Sequence, residues 1–259
     1  MQSENQLGSA RLAVLIDADN VSPNFIEPLL DEITVYGVAH VKRIYGDWTD
    51  QKASGWKPKL HKHAIQPMQQ FRYTKGKNST DSALIIDAMD LLYTGNFDGF
   101  CLVSSDSDFT RLAGRIREAG LVVYGLGEEK TPEPFVSACD KFIYLEILEQ
   151  SGSTKQSQNP KKSVSETDKL SDKQSGINKQ LISLLKKAYE AVSGEDGWAN
   201  LGGFGAQLNK LSPSFDSRNY GYKKLGELIL ATDIFEIRKT PHDNNPTVKE
   251  LHIRLKDSL

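Results

Sequence analysis

The apolar and polar positions of the first half of the chain predict short buried strands that alternate with amphipathic helices. Residues 12–16 form an uninterrupted apolar run, which is typical of a parallel strand buried on both faces. A helix is predicted over residues 22–34, with Ser22 as its N-cap and Pro23 at its first position. Further strands are predicted at 38–45, 65–71, 100–103 and 121–124, further helices at 56–63, directly after the loop at 74–80 and at 109–119, and a last strand or short helix at 142–148. This order predicts an α/β domain with a parallel sheet and right-handed crossovers.

The rest of the chain follows a different pattern. Residues 151–177 contain no aromatic side chain, and such a segment cannot bury enough apolar surface to offset the entropy lost on ordering. From residue 178 onward, three amphipathic helices precede two short strands at 234–238 and 248–255, which is the order of a winged-helix domain. We therefore predict an α/β domain over 1–150, a flexible linker over 151–177 and a small winged-helix domain over 178–259.

Positive charge is concentrated in one stretch of the chain. The formal net charge is -2, but residues 51–80 hold seven Lys or Arg and no acidic residue, so the remainder carries -9. Because Trp56, Phe71 and Tyr73 lie among these cations, the stretch resembles a groove for single-stranded nucleic acid. A solvated helix face is the alternative for each lysine. The residues predicted to contact nucleic acid are Lys57, Lys59, Lys62, Arg72, Lys75 and Lys77.

Cysteine usage and hydropathy indicate the compartment. Cys101 and Cys139 lie in apolar or nearly apolar surroundings and have no metal-binding spacing, which predicts reduced, buried thiols. The first residues lack the pattern of a secretory signal, and no apolar run approaches the roughly 20 residues that span a bilayer. We expect a cytoplasmic protein with no membrane partner.

Acidic residues follow two of the predicted strands. Asp17 ends the first strand, Asp106 and Asp108 follow the fourth, and Asp81 lies in the first turn of the helix between them. If strands one and four are neighbours at a topological switch point, these carboxylates face one crevice. Their repulsion would be relieved by Mg²⁺ or Mn²⁺, which prefer oxygen ligands and support phosphodiester hydrolysis. Helix capping is the alternative for each acid apart from Asp17.

Four motifs in the first half resemble a known family in their order. They are LIDADN at 15–20, YGDW at 45–48, KGKNSTDSALIIDAMDL at 75–91 and LVSSDSDF at 102–109. Together they resemble the NYN domains, a branch of the PIN-like metal-dependent ribonucleases, over roughly residues 10–148. The resemblance implies a PIN-like parallel sheet with helices on both faces and cleavage of single-stranded RNA that leaves a 5′-phosphate. It implies that the catalytic, metal-binding acids are Asp17, Asp81, Asp106 and Asp108, and that the nucleic acid also meets Asn20, Trp48 and Ser104.

The last 80 or so residues resemble a second family. The stretches 184–211 and 214–237, which include SFDSRNYGYKKLGELILATDIFEI, resemble an OST-HTH or LOTUS winged-helix domain. This resemblance implies binding of RNA, or of a helicase-type protein, and delivery of substrate to the nuclease across the linker. Lys223 and Lys224 are candidate contacts ahead of the third helix, with a solvated rim as the alternative.

Two functions from different classes remain at this point. One is a Mg²⁺- or Mn²⁺-dependent endoribonuclease with an RNA-binding module, for which single-stranded DNA stays a second possible substrate. The other is a non-catalytic RNA-binding regulator whose acids bind metal without turnover. The complete set of four acids favours the nuclease.

Overall fold

The computed structural model describes residues 9–71, 79–152, 177–242 and 245–256. The chain divides into two compact units, with the division between Gln156 and Ser157. Most of the predicted linker lies outside the described residues, as do Arg72, Lys75 and Lys77. Within the described ranges, no helix has both the length and the apolar character needed to span a bilayer.

The first unit contains a six-stranded parallel sheet. Its strands are β1 (Arg11–Asp17), β2 (Val38–Gly46), β3 (Gln66–Gln69), β4 (Gly99–Val103), β5 (Val122–Gly127) and β6 (Lys141–Tyr144). Their spatial order is β3-β2-β1-β4-β5-β6, so β1 and β4 are neighbours, and Leu15 pairs with Leu102. The chain leaves β1 toward one edge of the sheet and returns to the other side at β4. The predicted switch point between these two strands is therefore confirmed.

Helices cover both faces of this sheet. They are α1 (Ile26–Ile33), α2 (Lys57–His63), α3 (Ser79–Tyr93), α4 (Thr110–Glu118), α5 (Glu133–Ala138) and α6 (Leu145–Gly152). Ser22 caps a 3-10 turn that begins at Pro23 and leads into α1, as the sequence predicts. The six-residue α5 was not predicted, because it is too short to show a helical period. The segment 142–148 supplies both the end of β6 and the start of α6.

Two cores explain the uninterrupted apolar run of β1. Ala13 and Leu15 face the core formed with α3, α4 and α5. Val14 and Ile16 face the opposite core, which includes α1 and α6. Both faces of the strand are covered, so no position favours a polar side chain until the strand ends at Asp17. The fold is the predicted PIN-like α/β sheet with helices on both faces.

The second unit has the predicted helical and hairpin elements. These are α7 (Lys179–Glu190), β7 (Ala199–Asn200), α8 (Leu201–Leu211), α9 (Leu225–Thr232), β8 (Phe235–His242) and β9 (Asn245–Leu255). The strands form an antiparallel sheet in the order β7-β9-β8. The two-residue β7 was not predicted, because two residues cannot show alternation. The predicted turn at 242–246 includes residues 243 and 244, which lie outside the described residues.

Candidate functional site

Three acids from two segments converge at the carboxyl edge of the first sheet. Asp81 lies in the first turn of α3, while Asp106 and Asp108 follow β4. Each offers a carboxylate oxygen, and these oxygens all lie within 4.8 Å of one another. Asp106 also caps the following 3-10 turn, since its Oδ1 accepts a hydrogen bond from the Asp108 amide at 2.9 Å. The capping role and the convergence of the acids are therefore compatible.

Asp17 lies in the same region but outside this group of three. It ends β1 and is completely buried. Its carboxylate accepts hydrogen bonds from Ser104 Oγ at 2.8 Å, from Asn20 Nδ2 at 2.6 Å and from the Asp19 amide at 3.0 Å. Burial raises the pKa of Asp17, and these hydrogen bonds oppose the rise. Asp17 is thus held firmly behind the more exposed acids.

Asp81 experiences the repulsion of its acidic neighbours. Its pKa is raised from 3.8 to about 6, first by burial and then by the negative charges of Asp17, Asp106 and Asp108. The fold therefore brings together carboxylates that oppose one another's ionisation. A divalent cation at this edge would reverse that effect, because its charge favours the ionised form of each acid.

Ser104 connects the two acidic segments. Its hydroxyl donates to Asp17 Oδ2 and accepts from the Asp106 amide at 3.1 Å. The side chain is buried, and its predicted contact with nucleic acid stays a prediction. This bridge was missed from the sequence, although the pair of small polar residues directly after a buried strand was a visible signal.

Asn20 and Trp48 have structural contacts at the same edge. The Asn20 amide is used in the hydrogen bond to Asp17. The Trp48 indole N–H donates to the Met68 carbonyl at 3.0 Å, and its ring packs against the core beneath α1. The Trp48 amide also donates to Gln69 Oε1 at 3.0 Å. These side chains hold the loops that follow β1, β2 and β3, and their contact with nucleic acid stays a prediction.

A buried polar cluster anchors α3 to the sheet. Arg43 Nη1 and Tyr45 Oη, from β2, both donate to the carboxylate of Asp87 on α3. Both charged side chains are mostly shielded from solvent, at 22% exposure for Arg43 and 18% for Asp87. Asp87 lies six residues after Asp81, so the cluster fixes the helix that carries an acid of the site. Sequence reasoning did not identify Arg43 or Tyr45.

The basic stretch is partly neutralised within the first unit. Lys59 and Lys62 both contact Glu27 Oε1, at 3.1 and 2.8 Å, and lower the pKa of Glu27 to about 2. Lys57 is exposed at the start of α2. Lys59 and Lys62, which were predicted to contact nucleic acid, therefore have an acidic partner within the unit. That partner, Glu27, lies more than thirty residues away in the sequence.

In the second unit, the two predicted lysines lie at the surface. Lys223 and Lys224 are exposed and directly precede α9, where Lys224 occupies the N-cap position. Their predicted location ahead of the third helix is confirmed. Their role in binding stays a prediction.

Comparisons with solved structures find six chains with similarity to this one, among them the following three. A protein of unknown function from Vibrio parahaemolyticus is 21% identical with a TM-score of 0.46, and the match covers 55% of this chain and 94% of that chain. An uncharacterized protein from Nitrosomonas europaea is 37% identical with a TM-score of 0.29, covering 41% and 92%. A protein from Chromobacterium violaceum is 32% identical with a TM-score of 0.26, covering 32% and 87%. No curated protein matches the chain.

Family models match both units. The NYN domain model matches residues 11–146, which is more than half of the chain and includes all four acids. The OST-HTH/LOTUS domain model matches residues 172–247. The two domains occur in the order that the sequence motifs predict. The chain therefore belongs to the NYN domain family, a group of PIN-like nucleases, and carries a C-terminal OST-HTH/LOTUS domain of an RNA-binding type.

Proposed function

We propose that this protein is a divalent-metal-dependent endoribonuclease that hydrolyses phosphodiester bonds of single-stranded RNA. The main observation behind this proposal is the group formed by Asp81, Asp106 and Asp108, whose carboxylate oxygens lie within 4.8 Å of one another. This group lies beyond the adjacent carboxyl ends of β1 and β4, where α/β sheets of this type bind ligands. The NYN family supports the nuclease class.

The geometry of the acids fits Mg²⁺ or Mn²⁺. The carboxylate oxygens of the three acids lie within 4.8 Å of one another, which is close enough for one ion with metal–oxygen distances of about 2.1 Å to be shared among them. The all-oxygen donor set also suits these hard cations. When bound, such a metal lowers the pKa of a coordinated water and offsets the negative charge that develops on the phosphate.

The residues of the site have distinct proposed roles. Asp81, Asp106 and Asp108 hold the metal, while buried Asp17 fixes the inner edge of the site. Ser104 and Asn20 orient the Asp17 carboxylate through their hydrogen bonds to it. The attacking group is water, which agrees with the burial of Cys101 beneath the site. Burial raises the pKa of that thiol and disfavours the thiolate that a nucleophilic cysteine needs.

The second unit is proposed to hold the RNA substrate near the nuclease across the linker. Its family supports RNA binding, and Lys223 and Lys224 provide exposed positive charge. Single-stranded DNA as an additional substrate, and a helicase-type protein as a partner, belong to the same proposal. We also propose a cytoplasmic location, because Cys101 and Cys139 are buried and unpaired, which agrees with a reducing compartment.

The test is cleavage of an internally labelled single-stranded RNA by the full chain with Mn²⁺, Mg²⁺ or EDTA. Asp106→Asn should lower the cleavage rate by about 100-fold or more, because it removes a charged ligand from the metal site. Asp17→Asn should also lower the rate strongly. Asp90→Asn is the matched control, since Asp90 is an exposed acid on the same helix as Asp81 and should leave the rate unchanged.

The reaction products refine this test. Internal cuts that leave 5′-phosphate ends and vanish in EDTA would support the proposal. Cleavage by Asp106→Asn at the wild-type rate would overturn the assignment of the site. RNA binding by the wild type without cleavage under any metal would overturn the nuclease proposal in favour of the regulator. The same assay on single-stranded DNA measures substrate preference.

A further inference from the structure

The sheet of the second unit has an outer face that carries an aromatic ring in contact with two cations. Side chains along β8 and β9 alternate between the two faces of the sheet. Phe235 and Ile253 lie in the core of this unit, while Arg238 on β8 and Arg254 on β9 lie on the opposite, exposed side. Trp198 directly precedes β7, whose Ala199 pairs with Ile253. Because side chains alternate along a strand, Trp198 lies on the same outer side as the two arginines.

The ring of Trp198 packs against two guanidinium groups and is not part of the apolar core of its unit. The Cζ atom of Arg238 lies 4.1 Å from the centre of the Trp198 ring, and that of Arg254 lies 4.8 Å from it. The tryptophan is only partly buried and is not a member of the core cluster of its unit. A large aromatic side chain outside the core, covered by cations, has the composition of a stacking surface for nucleobases.

The two arginines differ in their remaining contacts. Arg254 Nη2 donates to Glu236 Oε2 at 2.8 Å, so part of its charge is offset. Arg238 is exposed and, within the described part of the chain, has no carboxylate among its contacts. Its guanidinium lies over the ring, and the side chain is exposed to solvent. A planar donor group of this kind suits a phosphate oxygen.

The loop before β7 holds Trp198 in place. The Trp198 amide donates to Asp196 Oδ1 at 3.1 Å, and its carbonyl accepts from the Gly194 amide at 3.0 Å. Tyr189 Oη donates to the Gly197 carbonyl at 2.7 Å, and Gly197 has a φ of +72°, which favours glycine. The backbone at Trp198 is thus held before any partner binds, which limits the ordering entropy lost on binding.

We propose that this outer face binds an unpaired base of single-stranded RNA. The base stacks on the surface formed by Trp198 and Arg238, and the neighbouring phosphate accepts hydrogen bonds from the Arg238 guanidinium. The inference rests on the proposed RNA binding of this unit and locates a contact on the sheet, separate from Lys223 and Lys224 ahead of α9. An apolar protein segment fits this face less well, because the large exposed aliphatic residue described in this unit, Leu230, is on α9.

The test uses the full chain in EDTA, so that RNA remains intact. Affinity is measured for a labelled single-stranded RNA of about ten nucleotides and for an abasic ribose-phosphate chain of equal length. Trp198→Ala should weaken RNA binding about tenfold, which is the loss expected for one stacked base. It should change binding to the abasic chain much less. Trp198→Phe keeps a ring and should lose less affinity than Trp198→Ala.

Control variants make the result interpretable. Arg238→Gln should weaken binding to both chains, because it removes a phosphate contact. Lys239→Gln, an exposed cation on the same strand, is the matched control for loss of charge. Equal losses for Trp198→Ala on both chains, or an unchanged RNA affinity in Trp198→Ala and Trp198→Phe, would overturn the stacking proposal.

The same experiment separates this inference from the proposed function. If wild type binds and cleaves RNA while Trp198→Ala binds as wild type does, only the stacking surface is wrong. If wild type does not bind RNA, the proposed function and the inference both fail. Thermal unfolding shows whether the Trp198→Ala variant is folded. If it is not, the two single variants Trp198→Phe and Arg238→Gln are used for the test instead.

Discussion

The acidic edge of the first unit and the outer sheet face of the second unit differ in their electrostatics: the side chains repel one another at the first and attract one another at the second. At the acidic edge, like charges lie close together, and the pKa of Asp81 rises to about 6 in consequence. On the sheet face, Arg238 and Arg254 lie against a π-system that attracts them. The first arrangement needs support from the rest of the fold, whereas the second is favourable by itself.

This difference explains where each group of side chains lies. Asp17, Asp106 and Asp108 lie at or just after the ends of buried strands, and Asp81 lies in the first turn of α3. Ser104 and the Asp87 cluster hold the segments that carry them. Trp198 and Arg238 lie on a solvated face and depend mainly on one short loop. Changes at the acidic edge should therefore separate activity from stability, while changes on the sheet face should alter affinity alone.

Among the residues that support the acids, the largest effect is expected from Ser104→Ala. The loss of its hydroxyl releases the Asp17 carboxylate from the Asp106 segment, and the rate of RNA cleavage should fall by about 10- to 100-fold. Steady-state cleavage at several metal concentrations measures the effect. Ser105→Ala is the control, because Ser105 accepts a hydrogen bond from the Glu128 amide, outside the acidic group. Equal losses in both variants would contradict a specific role for Ser104.

Asp87→Asn should destabilise the first unit by about 2 kcal/mol. The substitution leaves the shielded Arg43 without its carboxylate partner, so the energy of burying that charge is no longer offset. Urea unfolding followed by far-UV circular dichroism measures the change. Asp90→Asn, on the exposed side of the same helix, should leave the midpoint unchanged. A stable Asp87→Asn variant would show that α3 does not depend on this cluster.

Asp81→Asn should change the stability in the opposite direction. It should stabilise the metal-free protein above neutral pH. The folded-state pKa of Asp81 is about 6 against an ordinary 3.8, so the folded state loses stability as pH rises through this interval. The variant removes that loss, and its melting temperature should exceed that of wild type at about pH 7.5 in EDTA and match it near about pH 4. A gain that is independent of pH would contradict the electrostatic explanation.

The smallest effect is expected from Glu27→Gln. It releases Lys59 and Lys62 from their shared carboxylate, and RNA affinity in EDTA should rise about threefold with a steeper dependence on salt. Asp31→Asn removes a negative charge from the exposed surface of the same helix and is the matched control. If both variants bind RNA alike, the two lysines do not contact it.

Much of the fold was predictable because its signals are local. The apolar run before Asp17 identified a strand buried on both faces, and Ser22 with Pro23 marked the start of a helical segment. The elements that were missed, α5 and β7, are too short to show a period. The positions of Asp17, Asp106 and Asp108 at one edge of the sheet were predictable because these acids end or follow strands, and the motifs around them carried the family resemblance.

By itself, the sequence determined the order of the longer elements, the two families and the convergence of Asp81 with Asp106 and Asp108. The tertiary structure decided which charges meet. It placed Asp17 behind the other acids, gave Ser104 a buried bridging role, paired Lys59 and Lys62 with Glu27, and brought Arg238 to Trp198. The physical reason is that hydrophobic periodicity acts between neighbours in the sequence. Ion pairs and ring contacts join residues tens of positions apart, and packing alone brings them together.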